Sequence, residues 1–205
     1  MIILVEGING TGKTTLCKRL EEHFEGSVYI QEPGTTKLGK SVRGVLAEKT
    51  ANSLASVFLY SAARAQLIEE TIKPLVAQGK TVILDRFTPS TMAYQHYGDG
   101  GNYVDIELIN NIASEGVLID RKILLVCPVH IAAGRSHKGN WTPTNGDYQN
   151  VVQRGYLKEA YSEGDWCILD GSEDAHTVFV SSACFINDPV WTKTCVGDFG
   201  ILGVV

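Results

Sequence analysis

Gly7-Ile8-Asn9-Gly10-Thr11-Gly12-Lys13-Thr14 matches the pattern G-x-x-x-x-G-K-[ST] at every fixed position. The composition follows from what such a loop has to do. Glycines let successive backbone N–H groups turn inward around phosphate oxygens. A helix starting at the end of the loop aims its positive pole at the same anion. Lys13 then neutralises β and γ phosphates, and the Thr14 hydroxyl is a ligand for Mg²⁺. The expected ATP-binding residues are Asn9, Gly10, Thr11, Gly12, Lys13, Thr14 and Thr15. The flanks supply the context the motif needs. Met1–Glu6 is apolar and β-branched, as in a central parallel strand. Thr14–Phe24 carries Leu16, Leu20 and Phe24 at helical spacing.

Further out, the alternation continues. Short apolar runs at Ser27–Gln31, Thr81–Leu84, Arg121–Cys127 and Trp166–Leu169 read as strands. Helical patterns cover Lys37–Leu46, Ser53–Gln78, Ser90–Tyr97, Val104–Ser114, Tyr148–Ser162 and Glu173–Phe185. In the longest, Leu54, Phe58, Ala62, Ala65, Ile68, Ile72 and Leu75 recur at three- and four-residue steps, and Gly79 stops it. Strands alternating with helices imply an α/β, three-layer fold of the P-loop NTPase type. Its parallel five-stranded sheet would be covered by helices on both faces. One domain over residues 1–205 is expected. A lid loop falls at about 135–147, where Gly, Asn, Thr and Pro concentrate, and the tail 187–205 has no clear period.

Ligands in such sheets bind at the C-terminal ends of the strands. Asp85-Arg86 closes the third strand, so it should share a site with the glycine loop. A lone buried carboxylate is expensive as core material. Asp85 reads better as a Mg²⁺-linked group acting through water. Arg86 is planar, permanently charged and suited to phosphate. Periodicity leaves Arg43 and Arg64 open between surface and cleft, although Arg64 stands among Ala62, Ala63 and Ala65.

The bulk numbers bound the alternatives. A chain of 205 residues with net charge −5 argues against a protein whose main task is gripping nucleic acid. The apolar N-terminus is too short for a signal peptide or membrane span. Cys17, Cys127, Cys167, Cys184 and Cys195 have neither metal nor redox spacing, and read as mostly buried thiols in a reducing cytosol. The five histidines show no ligand-like spacing either.

Taken together, the motifs resemble the thymidylate kinase family. Val5–Thr15 is similar to its phosphate loop. Gln31-Glu32-Pro33-Gly34, followed by Leu38-Gly39 and Val42-Arg43, resembles its E-P-G segment and following helix. Leu59-Tyr60-Ser61-Ala62-Ala63-Arg64-Ala65-Gln66 resembles its long-helix motif, and Asp85-Arg86-Phe87 through Ser90, Tyr94 and Gln95 its D-R-Y segment. The resemblance covers roughly Met1 to Phe185 and is strongest up to Gln95. It implies that Arg43 and Arg86 hold the acceptor phosphate and that Tyr60 stacks on the base. Arg64 and Thr91 would bond the pyrimidine edge, and Tyr94 would line the sugar. Asn9, Glu32, Pro33 and Gln95 complete the implied substrate-binding set. The implied catalytic residues are Lys13, Asp85, Arg86 and Arg135, with Thr14 and Asp85 at the metal. A homodimer with ATP and dTMP as ligands, no nucleic acid and no membrane, located in the cytoplasm (the host's, for a virus-encoded member), is implied as well.

Three departures from the family pattern stand out. Asn9 replaces a carboxylate, Ala63 stands where Asp is frequent, and Asn140-Trp141 occupies the place of Asp-Arg in the lid. The transition-state cation is then open among Arg135, Lys138 and Arg154. Rival readings are a kinase for dUMP or a modified deoxypyrimidine monophosphate, a deoxynucleoside kinase with Glu32 as base, and a non-catalytic nucleotide-binding module.

Overall fold

The computed structural model describes residues 1–135 and 146–188. Five strands, β1 Ile2–Glu6, β2 Val28–Gln31, β3 Val82–Asp85, β4 Arg121–Val126 and β5 Trp166–Asp170, form one sheet in the order β2-β3-β1-β4-β5. Every pairing is parallel. The helices are α1 Lys13–His23, α2 Lys37–Ala47, α3 Ser53–Leu67, α4 Lys73–Ala77, α5 Thr88–Thr91, α6 Tyr103–Ser114, α7 Val129–Arg135, α8 Gly146–Glu163 and α9 Ala175–Asn187. Two π-helical segments interrupt this series: Ile68–Ile72 joins α3 to α4, and Met92–Gly98 continues α5.

The period-2 alternation of strand side chains splits the core in two. Ile2, Leu4, Val82, Leu84, Leu124 and Val126 pack on one face with Ile68, Ile72, Val152 and Tyr156. Ile3, Val5, Ile83, Ile123 and Leu125 pack on the other with Leu16, Leu20, Val178 and Phe185. Both faces of β1 are fully buried, as the continuous apolar run requires. The β1–β3 register sets Val5 against Asp85, so the strand ends carrying the glycine loop and the Asp-Arg pair lie side by side.

The fold class and the five strands stand as read. Two details differ. The short helix α7, directly after Cys127-Pro128, is absent from the sequence reading, because seven residues give too little period to detect. The apolar series of the long helix divides between two faces. Val57, Ser61, Arg64 and Ile68 are buried, whereas Leu54 and Phe58 are 54% and 55% exposed. Among the described cysteines Cys17, Cys127 and Cys167 are buried and Cys184 is exposed. The lid expectations at 136–145, including His137, Lys138 and Asn140-Trp141, lie outside the described residues, as do Cys195 and the tail from 189 onward. Among the described residues no helix is long and apolar enough to cross a membrane.

Candidate active site

The glycine loop wraps around the carbonyl of Ile8. Lys13 Nζ donates to that oxygen at 2.7 Å and Thr11 Oγ1 at 3.0 Å. Glycine is required on two counts. Gly7 and Gly10 have φ of +140° and +86°, and a Cβ would stand 2.3 Å from the Leu125 carbonyl oxygen or 2.0 Å from that of Ala132. Gly12 caps α1 with no side chain bonded to the first-turn N–H groups, so they face the space inside the loop. Burial, then the neighbouring Arg86 charge, push the Lys13 ammonium down to about 7, against the attraction of Asp85 and Glu6.

Asp85 is buried at the end of β3. Its Oδ2 accepts from Thr14 Oγ1 at 2.8 Å and from the Tyr29 hydroxyl at 3.2 Å. A hydroxyl and a carboxylate oxygen in contact, beside a phosphate cradle, form the hard donor set that suits Mg²⁺.

Arg86 follows in a left-handed backbone conformation, φ +77°. NH1 donates to Ser90 Oγ at 3.0 Å and to the Tyr156 hydroxyl at 2.9 Å. NH2 donates to Asn9 Oδ1 at 2.6 Å. The guanidinium lies 5.3 Å over the Tyr94 ring. Beneath it sits Glu6, fully buried. Its carboxylate accepts from Phe87 N at 2.8 Å, Ser90 N at 3.2 Å, Ser90 Oγ at 2.7 Å and the Tyr156 hydroxyl at 3.0 Å. Burial raises its pKa, and the Arg86 charge opposes the rise.

A second cluster surrounds Arg64, which is 1% exposed. Nε lies 2.8 Å from Glu32 Oε1. NH1 donates to Asn110 Oδ1 at 2.7 Å and NH2 to Thr91 Oγ1 at 3.0 Å. Its guanidinium lies 5.1 Å over the Phe87 ring. Burial, opposed by Arg64, pushes Glu32 up to about 7. The ion pair with Arg64 lies on one Glu32 oxygen, and among the described residues no hydrogen-bond donor meets either oxygen.

The remaining expected residues fall around these two clusters. Tyr60 is half-buried, one turn before Arg64 on α3. Gln95 is buried and turned toward Asp99, with Nε2 3.4 Å from Oδ2. Pro33 is half-buried. Arg43 is exposed on α2, with NH1 donating to Gln31 Oε1 at 2.9 Å and to the Pro33 carbonyl at 3.5 Å. Arg135 donates to the carbonyls of Gly171 and Ser172. Gly171 abuts the phosphate loop, since a Cβ there would lie 2.7 Å from the Thr11 carbonyl oxygen. Arg154 is exposed on α8.

Sequence reasoning missed Glu6, Tyr29, Asn110 and Tyr156. Glu6 alone carried a signal, since it is a carboxylate closing a buried strand, as Asp85 is. A hollow of about 420 Å³ lined by Met1, Ile72, Val76 and Leu118 lies at the N-terminal end of β1, the end of the strand away from the glycine loop. It is mostly apolar, and Lys73 at its rim is paired with Glu69 and Glu115. The chemistry therefore belongs with the loop.

The geometry agrees with similarity to known proteins. The family model for thymidylate kinase matches residues 5–180. The thymidylate kinase of Thermoanaerobacter sp. strain X514 is 36% identical over 170 residues, covering 76% of this chain and 81% of that one. That of Geotalea daltonii is 35% identical over 188 residues, covering 82% and 88%. That of Trichlorobacter lovleyi is 32% identical, covering 96% and 99%.

Proposed function

The chain belongs to the thymidylate kinase family, and from that membership we propose that it transfers the γ-phosphoryl group of ATP in line to the 5′-phosphate of dTMP. One observation carries the reading. Thr14 meets Asp85 at 2.8 Å, and Arg86 meets Asn9 of the phosphate loop at 2.6 Å. The donor-phosphate cradle and the cation for the acceptor phosphate thus share one floor.

A phosphomonoester has its second pKa near about 6, so the acceptor is mostly dianionic at neutral pH and needs no general base. The residues position and neutralise. The β and γ phosphates would favour the charged form of Lys13, offsetting the burial that lowers its pKa. Arg86, held by Ser90, Tyr156 and Asn9, presents its remaining N–H groups to the acceptor phosphate, and Arg43 reaches it from the rim. Thr14 and Asp85 would hold Mg²⁺, which would supply positive charge to offset that of the donor phosphates. Tyr60 stacks on the base, Arg64 and Thr91 face its polar edge, and Tyr94 lines the sugar. Glu32, Pro33 and Gln95 complete the wall. Arg135, beside the loop, is the proposed source of transition-state charge. The enzyme acts as a homodimer, a reading supported by exposed apolar residues on two helices that pack together, Leu54 and Phe58 of α3 and Leu108 and Ile112 of α6.

The test is coupled ADP release with MgATP against dTMP, dUMP, 5-hydroxymethyl-dUMP, dCMP, dGMP and thymidine. Strong turnover with dTMP, less with dUMP and none with thymidine is expected. A preference for thymidine would overturn the acceptor assignment.

A further inference from the structure

We propose that Asn110, on α6, is a positioning residue that sets base selectivity through Arg64; this rests on the reading of Arg64 as the group facing the pyrimidine edge. The buried face of α6 is Ile106, Asn110 and Ala113, so Asn110 is its one polar member. It is 3% exposed. Its Nδ2 lies 3.4 Å from the Thr88 carbonyl, an acceptor, which fixes the amide with Oδ1 toward Arg64. Oδ1 then accepts from NH1 at 2.7 Å.

A guanidinium has five N–H groups in one plane. The Glu32 carboxylate forms an ion pair beside Nε at 2.8 Å without a hydrogen bond to it, while Asn110 takes one N–H of NH1 and Thr91 takes one of NH2. Glu32 alone would leave the plane free to swing about its single anchor. Contacts from the loop after β2, from α5 and from α6 fix it and leave one N–H on each terminal nitrogen. Those two groups can only donate. They complement a carbonyl on the base and meet an exocyclic amino group hydrogen to hydrogen, which separates dTMP from dCMP. A neutral amide supplies the anchor without setting a second negative charge beside Glu32.

The experiment is steady-state kinetics on the full chain, with dTMP and dCMP as acceptors, for wild type, Asn110→Leu, Asn110→Asp and Arg64→Lys. Melting by circular dichroism checks each fold. Asn110→Leu removes the acceptor at similar volume. Its KM for dTMP is expected to rise about tenfold, with the dTMP-to-dCMP ratio of kcat/KM falling and the KM for ATP unmoved. Asn110→Asp, which keeps an acceptor oxygen, should retain most of the selectivity. Should Asn110→Leu not fold, Asn110→Ala, which leaves room for water, carries the same expectation. An unchanged dTMP-to-dCMP ratio in a folded Asn110 variant, beside a collapsed ratio in Arg64→Lys, overturns the proposal. Equal rises in KM for dTMP and ATP mark mere structural support and overturn it too. Intact selectivity in Arg64→Lys would instead remove Arg64 from the base edge, and a wild type silent on dTMP would remove the kinase reading itself.

Discussion

Glu32 shows how much one buried side chain can govern. Its folded-state pKa, about 7, lies above the ordinary 4.5 because burial outweighs the attraction of Arg64. The folded chain therefore holds this proton more tightly than the unfolded one. The stability it contributes is fully present below about 4.5 and lost as pH rises through about 7. Urea melts of wild type and Glu32→Gln should show it. The stability difference, wild type minus variant, should decline between those limits with a slope of at most about 1.4 kcal/mol per pH unit, and parallel curves would refute the assignment. The same residue marks where sequence reading ends. Lys13, Thr14 and Asp85 were legible because a fixed spacing and a strand end announce them. Nothing local announces that Glu32 pairs with Arg64, or that Tyr156 meets Glu6 across 150 positions. Those roles exist only once distant elements pack.

Elements were legible in proportion to their period. The strands are unbroken apolar runs and were found within a residue or two of their ends. The long helix was found, but its inward face was not, because apolar side chains line both sides. The contact between α8 and the segment Met92–Gly98 was invisible, since it depends on glycines. At Gly155 an added Cβ would lie 2.6 Å from the Tyr97 ring. Flanking bonds hold the pair together, Tyr97 to Glu159 at 2.7 Å and Tyr148 to Asp99 at 2.8 Å. In a helix interior Gly→Ala ordinarily stabilises by roughly 0.5–1 kcal/mol. Here Gly155→Ala is expected to destabilise by roughly 1–3 kcal/mol through overpacking, lowering Tm by several degrees. A rise in Tm would mean that the Tyr97 ring shifts aside at no cost.

For the molecule as a whole, the parallel sheet puts the phosphate loop and Asp85-Arg86 on adjacent central strands, which is why two motifs far apart in sequence make one site. The long helix serves two ends, with Arg64 turned inward and Phe58 outward. Phe58→Glu is expected to give a monomer by size exclusion with light scattering, its helix content unchanged, and a variant that still runs as a dimer would move the interface elsewhere. A last consequence concerns Arg86 and its φ of +77°. That backbone suits glycine and strains arginine by about 1 kcal/mol or more. Glycine there would ease the backbone, yet it would also remove three side-chain hydrogen bonds and leave the buried Glu6 carboxylate without its neighbouring charge. Position 86 is therefore a place where a substitution chosen only to relax the backbone would lower heat resistance instead of raising it.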